Sequence, residues 1–431
     1  MERKRAITSR QHDRFVTKKK SFEQQFASLY VARLRAMETM VRQAIAADSS
    51  VSVAILPKII DLRADLPCII TGTVFKVLKN KPNLLDEFTA DEGMSIEERK
   101  ECFASDSDQL FLEDESDRVA LTGNIEVDAF VTGAVLGLEG QMTTDGEAFE
   151  VSRIFLPISP PQKEKLPARK DDAYVALVSG LNFGSTSAKC HPLSSGLLMD
   201  YLAGRIGTDE EKTFVSTIVH TIIAGNSISK ATKEVLLEPV KKSQSNGNEV
   251  RPLEQLDLVV SSLVSTMPVD ILPGSSDPCN LMLPQQPLAA CLLPRSMSYT
   301  TCHLVTNPHL ATIDKISIAG TSGQPVDSVL QCSQGQSPLD ALEKMLEWRH
   351  LAPTAPDILS CYPFPNKDVF VIETRPHIFF AGNQPEFATK LVEGPDNERT
   401  RIICIPSFSE TGSIVLVNLR DLSCFPLTID I

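Results

Sequence analysis

The chain reads as a multidomain protein of mixed α+β and α/β class, with a long N-terminal helix, a small β-barrel and a larger layered α/β domain. Three observations predict this. Apolar residues from Phe22 to Ile45 recur at helical spacing, short strand-like runs follow one another from Cys68 to Phe155, and beyond Ala173 buried-strand patterns alternate with helical ones. A length of 431 residues suits two or three domains and a substantial core.

The first twenty residues carry eight Lys or Arg against two acids and read as a basic, disordered tail (1–20), with nuclear import or electrostatic tethering as its alternatives. A helical segment (21–48) follows. Ser21 is its expected N-cap and Gln24 the capping-box partner, and Phe22, Phe26, Leu29, Tyr30, Leu34, Met37, Val41 and Ile45 form one apolar face.

Residues 49–157 change to a β pattern. Strands are expected at Cys68–Val77, Leu110–Leu112, Val119–Thr122, Val131–Glu139 and Ala148–Phe155, with Asp145-Gly146 turning into the last. So many short strands in so few residues fit a Greek-key barrel such as the oligonucleotide-binding (OB) fold. Asp86 to Asp108 reads as a long, exposed acidic insertion. The phenylalanines of this region sit at strand spacing among carboxylates, which suits a core better than a platform for stacking bases.

Residues 158–172 (ISPPQKEKLPARKDD) have three prolines, alternating charge and no periodicity, and form the expected linker. In the α/β domain that follows (173–431), helices are expected near Pro192–Leu202, Pro252–Ser265 and Pro338–Arg349, a polar loop at Lys241–Asn248, and closing strands at Arg401–Ile405, Ser413–Asn418 and Pro426–Ile429. Four further segments are apolar strands running into tight polar turns: VALVSGLNF (175–183), TIIAGNS (221–227), VDILPGSSD (269–277) and HIFFAGNQP (377–385).

These four turns resemble the metal-binding motifs of calcineurin-like phosphoesterases, which read Asp-x-His, Gly-Asp, Gly-Asn-His-Asp and Gly-His-x-His. Matched position by position, Gly180 and Asn182 stand for the first aspartate and histidine, and Asn226 for the bridging aspartate. Ser275 and Ser276 replace the asparagine and histidine of the third motif, where Asp277 is kept as a group behind the ligands. Asn383 and Pro385 take both histidine positions of the fourth. Two divalent cations call for carboxylates and imidazoles, and holding them in an uncharged pocket would forfeit desolvation energy of order tens of kcal/mol. The resemblance therefore implies a phosphoesterase sandwich without metal, cofactor or catalysis.

Longer blocks are similar to the second, non-catalytic B subunit of DNA polymerase delta: LEDESDRVALTG (112–123), LPQQPL (283–288), VTNPHLATIDKISIAGTSGQPV (305–326), and RHLAPTAPD (349–357) followed by CYPF (361–364). The similarity runs over roughly nine tenths of the chain. It implies an OB fold joined to an inactivated phosphoesterase domain, a place in the nucleus, and a scaffold role between the Cys-rich C-terminal module of the catalytic subunit and a third, smaller subunit. DNA would be reached indirectly, through the complex. The alternatives are the B subunit of polymerase alpha or epsilon, or an active metal-dependent phosphodiesterase or 3'–5' exonuclease working through displaced ligands.

Composition agrees with protein partners, because a formal charge of −13 repels a phosphate backbone. Ten cysteines without a C-x-x-C pair read as reduced thiols, so that any metal centre in the assembly belongs to a partner. No P-loop, Gly-x-Gly-x-x-Gly or Gly-x-Ser-x-Gly motif occurs, and no apolar run is long enough for a membrane span. Among the seven histidines, His303, His309 and His350 of the last domain could serve as ligand or general acid, and His350 is the best residual candidate for chemistry. Trp348, Arg349, Tyr362 and Phe364, close in sequence and of the types enriched at binding hot spots, are the candidate partner interface.

Overall fold

A computed structural model describes residues 3–18, 21, 23–64, 66–82, 102–191, 193–237 and 251–429. The chain divides into two units, Ser21–Pro160 with Pro325–Glu373, and Met1–Lys20 with Pro161–Gln324 and Thr374–Ile431.

In the first of these, strand Cys68–Val77 is long enough to serve two neighbours. Its start pairs antiparallel with Val135–Met142 (Ile70 opposite Leu138) and its end with Gln109–Glu113 (Val74 opposite Leu112). Gly72 sits where the partners change, and a Cβ there would lie 2.7 Å from the Glu113 carbonyl oxygen, so the bend requires a residue without one. Gln109–Glu113 passes to Arg118–Gly123, that strand runs parallel to Ala148–Phe155, and Ala148–Phe155 returns antiparallel to Val135–Met142. The ring closes, which removes free edges and buries Val74, Leu112, Leu138, Phe149 and Val151 inside it. This connectivity is the barrel the strand spacing predicts.

Helix Ala27–Ala47 covers one side, packing Leu34, Met37, Val41 and Ile45 on Ile69, Val135 and Phe155. Gly137 permits the approach, since a Cβ there would stand 2.7 Å from Val41 Cγ1. The helix begins six residues after the predicted Ser21 cap and has no side-chain cap, its N-cap position being Phe26, and Ser21 instead gives its backbone N–H to Tyr362 Oη (2.7 Å). Most of the predicted acidic insertion lies outside the described residues, but 102–108 is anchored rather than exposed. Phe103 N–H donates to the Gln331 carbonyl at 2.7 Å, and Ala104 and Asp108 are buried.

Residues 325–373 belong with this barrel and not with the 173–431 domain predicted for them. The reason is polar satisfaction. Arg33, wholly buried on the helix, donates to the Pro353 and Ala355 carbonyls (2.8 and 2.5 Å) and pairs with Asp368, while Lys76 Nζ from the barrel donates to the Cys332 carbonyl (2.7 Å).

The other unit is a sandwich of two sheets, each six-stranded among the described residues. One sheet runs in the order Cys302–Leu304, Val269–Leu272, Ile218–Ala224, Tyr174–Val178, Ser413–Asn418, Cys424–Thr428. The other runs Thr8–Arg10, His309–Ile313, Ile316–Thr321, Ile378–Gln384, Arg399–Pro406, Ala388–Glu393. Val175, Leu177 and Val415 of the first meet Ile318, Ile378, Phe380 and Ile403 of the second in a continuous apolar layer. Helices Ser194–Leu202 and Arg251–Val264 cover the outer face of the first sheet with Leu198, Leu202, Val260 and Leu263. Ile218–Ala224 is buried at every residue and parallel to both neighbours, as a central parallel strand should be. The polar loop predicted at 241–248 lies outside the described residues.

The basic tail predicted to be disordered contributes the strand Thr8–Arg10, antiparallel to His309–Ile313, and a buried Phe15. Charge composition suggested a solvated run. What overrides it is specific pairing, with Arg10 placed 2.6 Å from the buried Asp270 carboxylate.

Candidate functional site

The parallel strands of the sandwich end together, and their loops converge. The first loop hydrogen-bonds to the second through Gly180 N–H to the Gly225 carbonyl (3.0 Å), Asn182 N–H to the Asn226 carbonyl (2.9 Å) and Phe183 N–H to the Ser227 carbonyl (3.0 Å). The second meets the third through Asn226 Oδ1, which accepts from Ser276 N–H at 3.1 Å and Ser275 Oγ at 3.3 Å. The fourth closes the ring. Asn383 N–H donates to Ser179 Oγ (2.9 Å), and Asn383 Nδ2 to the Ala224 and Ser322 carbonyls (3.1 and 2.8 Å). Asn182, Asn226 and Asn383 all adopt left-handed backbone, at φ of 46°, 52° and 57°, a conformation asparagine tolerates better than most residues.

Of the positions read from the sequence, Gly180, Asn182, Asn226, Ser275, Ser276 and Asn383 are therefore brought into one cluster. Gly180 has to lack a side chain, since its φ is +63° and a Cβ would fall 2.9 Å from Asn383 Oδ1. Pro385 is exposed just past the end of its strand, and the buried Gln384 before it is what faces inward.

Most of the donors are amides and hydroxyls engaged with neighbouring side chains and backbone, while Asn383 Oδ1 and Ser227 Oγ are buried without a hydrogen-bond partner among the described residues. Asn182 Nδ2 donates to Ser409 Oγ (2.8 Å), and Asn307 Nδ2 to Gln285 Oε1 (2.8 Å) and Ser322 Oγ (2.7 Å). Gln285 Nε2 continues to the Gly274 carbonyl at 3.1 Å. Ser322, Asn307, Gln285 and Ser409 were missed as site residues. Ser322 and Asn307 lie in the long block 305–326, but nothing in their spacing marks them as facing the four turns.

Asp277 has both oxygens committed, to Gly274 N–H (2.7 Å) and Ile228 N–H (3.0 Å), and burial raises its carboxyl to about 6 against the pull of those N–H groups. Lys233 Nζ caps the Ser275 carbonyl at 2.7 Å. Among the described residues no three His, Cys, Asp or Glu side chains gather as a metal would need. The residues present do not fit a pair of divalent cations, because neutral amide and hydroxyl oxygens cannot offset the ions' desolvation.

The histidines and the aromatic segment lie elsewhere. His309 Nε2 is 3.1 Å from Asp270, and His303 is half-buried on strand Cys302–Leu304. His350 is buried, with Nε2 2.9 Å from Asp368 Oδ2 and Nδ1 accepting from Ala352 N–H. Burial first, and the Arg33 charge second, hold it below the ordinary histidine range. It is a structural hydrogen-bond donor.

The interface predicted at Trp348, Arg349, Tyr362 and Phe364 is corrected for the first three, while Phe364 is half-buried. Trp348 and Arg349 are 2 % and 4 % exposed. Arg349 spends its guanidinium on the carbonyls of Ile372 (3.1 Å), Ile158 (2.8 Å) and Glu373 (3.4 Å), and burial lowers its pKa to about 10. Tyr362 is buried against Phe364, ring centroids 5.0 Å apart, and accepts from Ser21. Side chains so enclosed offer a partner almost no surface.

Comparison with known proteins agrees with the geometry. Residues 175–389 match the family model of the DNA polymerase alpha/epsilon B subunits, and residues 25–154 that of the DNA polymerase delta subunit OB-fold domain. The DNA polymerase delta small subunit of Arabidopsis thaliana is 41% identical over 99% of this chain and 96% of its own length, and DNA polymerase delta subunit 2 of Drosophila melanogaster 36% identical over 95% and 94%. The DNA polymerase II small subunit of Pyrococcus horikoshii is 23% identical over 61% of this chain and 41% of its own. With an OB-type barrel, a two-sheet sandwich and 36–41% identity over nearly the full length of the Arabidopsis and Drosophila proteins, the chain belongs to the DNA polymerase delta small subunit family.

Proposed function

We propose that this chain is a non-catalytic accessory subunit of DNA polymerase delta, a scaffold acting in the nucleus in replication and repair synthesis. The sandwich is read as a calcineurin-like phosphoesterase fold kept for its shape. The observation that carries the reading is the cluster of Asn182, Asn226, Ser276 and Asn383, where strand ends converge as in a hydrolase site but present amides and hydroxyls held by neighbouring loops, Asn182 by Ser409, Asn226 by the Ser276 N–H, Ser276 by the Ile228 carbonyl and Asn383 by the Ala224 and Ser322 carbonyls. A preorganised polar plug of this kind stiffens the sandwich and offers a cation neutral oxygens in place of carboxylates and imidazoles.

The scaffold would hold the Cys-rich C-terminal module of the catalytic subunit and the third subunit together, raising their effective concentration at the primer end. Its acidic surface suits protein partners, and DNA is engaged through the complex. Co-expression with a catalytic chain and with that chain lacking its C-terminal module tests this reading. Co-purification with the first and not the second is expected. Manganese-dependent hydrolysis of single-stranded DNA by the purified chain would overturn the non-catalytic assignment.

A further inference from the structure

The basic N-terminal segment has a role that its composition conceals. Strand Thr8–Arg10 occupies the edge of the second sheet, with Gln11 N–H on the Leu310 carbonyl (3.0 Å) and Asp314 N–H on the Ile7 carbonyl (2.9 Å) extending the ladder at both ends. Ile7 N–H also donates to Asp314 Oδ1 at 2.7 Å, and Arg169 fixes that carboxylate from the other side at 2.8 Å.

Arg10 goes further in. Its Nε and Nη2 lie 2.8 and 2.6 Å from Asp270 Oδ1, while the other oxygen of that wholly buried carboxylate faces His220 Nε2 (3.2 Å) and His309 Nε2 (3.1 Å). Upstream, Arg3 donates to the Leu202 and Ile218 carbonyls (2.6 and 2.9 Å) and Lys4 to the Asp172 carbonyl (3.2 Å). Downstream, Gln286 receives Thr17 N–H and donates to the Phe15 carbonyl, both at 3.0 Å, with Phe15 itself buried.

We propose that residues 3–17 are an intramolecular clamp that closes the His309–Ile313 edge of the sandwich, with Arg10 as its key through Asp270. Two independent features point to this. The clamp covers an edge at which Leu310, Thr312 and Asp314 would otherwise present unpaired backbone. It also delivers a guanidinium to a carboxylate that has no water to fall back on. The basic residues Arg3, Lys4 and Arg10 thus serve the fold.

Amide hydrogen exchange on the full chain, on a chain lacking residues 1–17, and on Arg10→Gln and Arg10→Lys variants tests the clamp. Exchange across His309–Ile313 should rise about tenfold or more on truncation and rise in part with Arg10→Gln, and Arg10→Lys should restore much of the protection. Should the truncated chain fail to fold, the two point variants carry the test alone. Unchanged protection of 309–313 in Arg10→Gln, or trypsin cutting the wild-type chain after Arg10 as fast as in an unfolded peptide, would overturn it.

Discussion

Arg33 and Asp368 form an ion pair from which water is excluded on both sides: Nε stands 2.7 Å from Oδ2, and neither side chain keeps any accessible surface. The contact ties the N-terminal helix to residues 325–373, with Gly133, Pro353 and Ala355 carbonyls taking three of the four remaining guanidinium hydrogens. Burial alone would raise the Asp368 carboxyl. His350 and Arg33 beside it more than reverse that and hold it well below the ordinary carboxylate range.

Removing one partner strands the other charge. Arg33→Ala should destabilise the chain by about 3–5 kcal/mol, because the Asp368 carboxylate loses a counter-ion it cannot replace with water. Urea denaturation of the variant beside wild type checks this, and a loss below about 1 kcal/mol would contradict the buried-pair account.

Asn383→Ala attacks the loop cluster. It leaves the Ala224 and Ser322 carbonyls without their donor and puts alanine at a φ of 57°. A cost of roughly 2–4 kcal/mol is expected, seen as a lowered denaturation midpoint. Asn383→Gly should cost less than Asn383→Ala if backbone strain is a real part of the effect.

The pH dependence of Asp277 runs opposite to that of Asp368. Its folded pKa of about 6 lies above the ordinary aspartate value, so the folded chain binds the extra proton first. Its contribution to stability is complete below the ordinary aspartate range and is lost as pH rises through about 6. Relative to Asp277→Asn, wild type should gain stability as pH falls from about 7 to about 4, and thermal melts of both across that window measure the gap. Asp368, depressed instead, contributes stability present at neutral pH and lost only as the solution becomes strongly acidic.

Trp348→Ala and Arg349→Ala should act through the fold. Trp348→Ala is expected to cost about 3–5 kcal/mol by opening a cavity. Measured on the folded fraction, binding to a co-expressed catalytic chain should be unchanged by either. A selective loss of binding at unchanged stability would return these residues to the interface.

Local rules made the elements legible. Short strand-like runs and a DG turn marked the barrel strands from Cys68 to Phe155, the apolar run TIIAGNS marked the end of Ile218–Ala224, and Gly-containing turns after apolar strands marked the four loops that meet. Those signals survive because backbone geometry and apolar burial act over neighbouring residues. Long-range pairing decided the rest. It withdrew Ser21 from its cap to Tyr362, sank Arg10 beside Asp270, enclosed Trp348 and Arg349, and took 325–373 to the barrel. The Ser21, Arg10 and Arg33 cases turn on a polar group finding its partner 341, 260 and 335 residues away, and no short window of sequence contains both halves of such a bond.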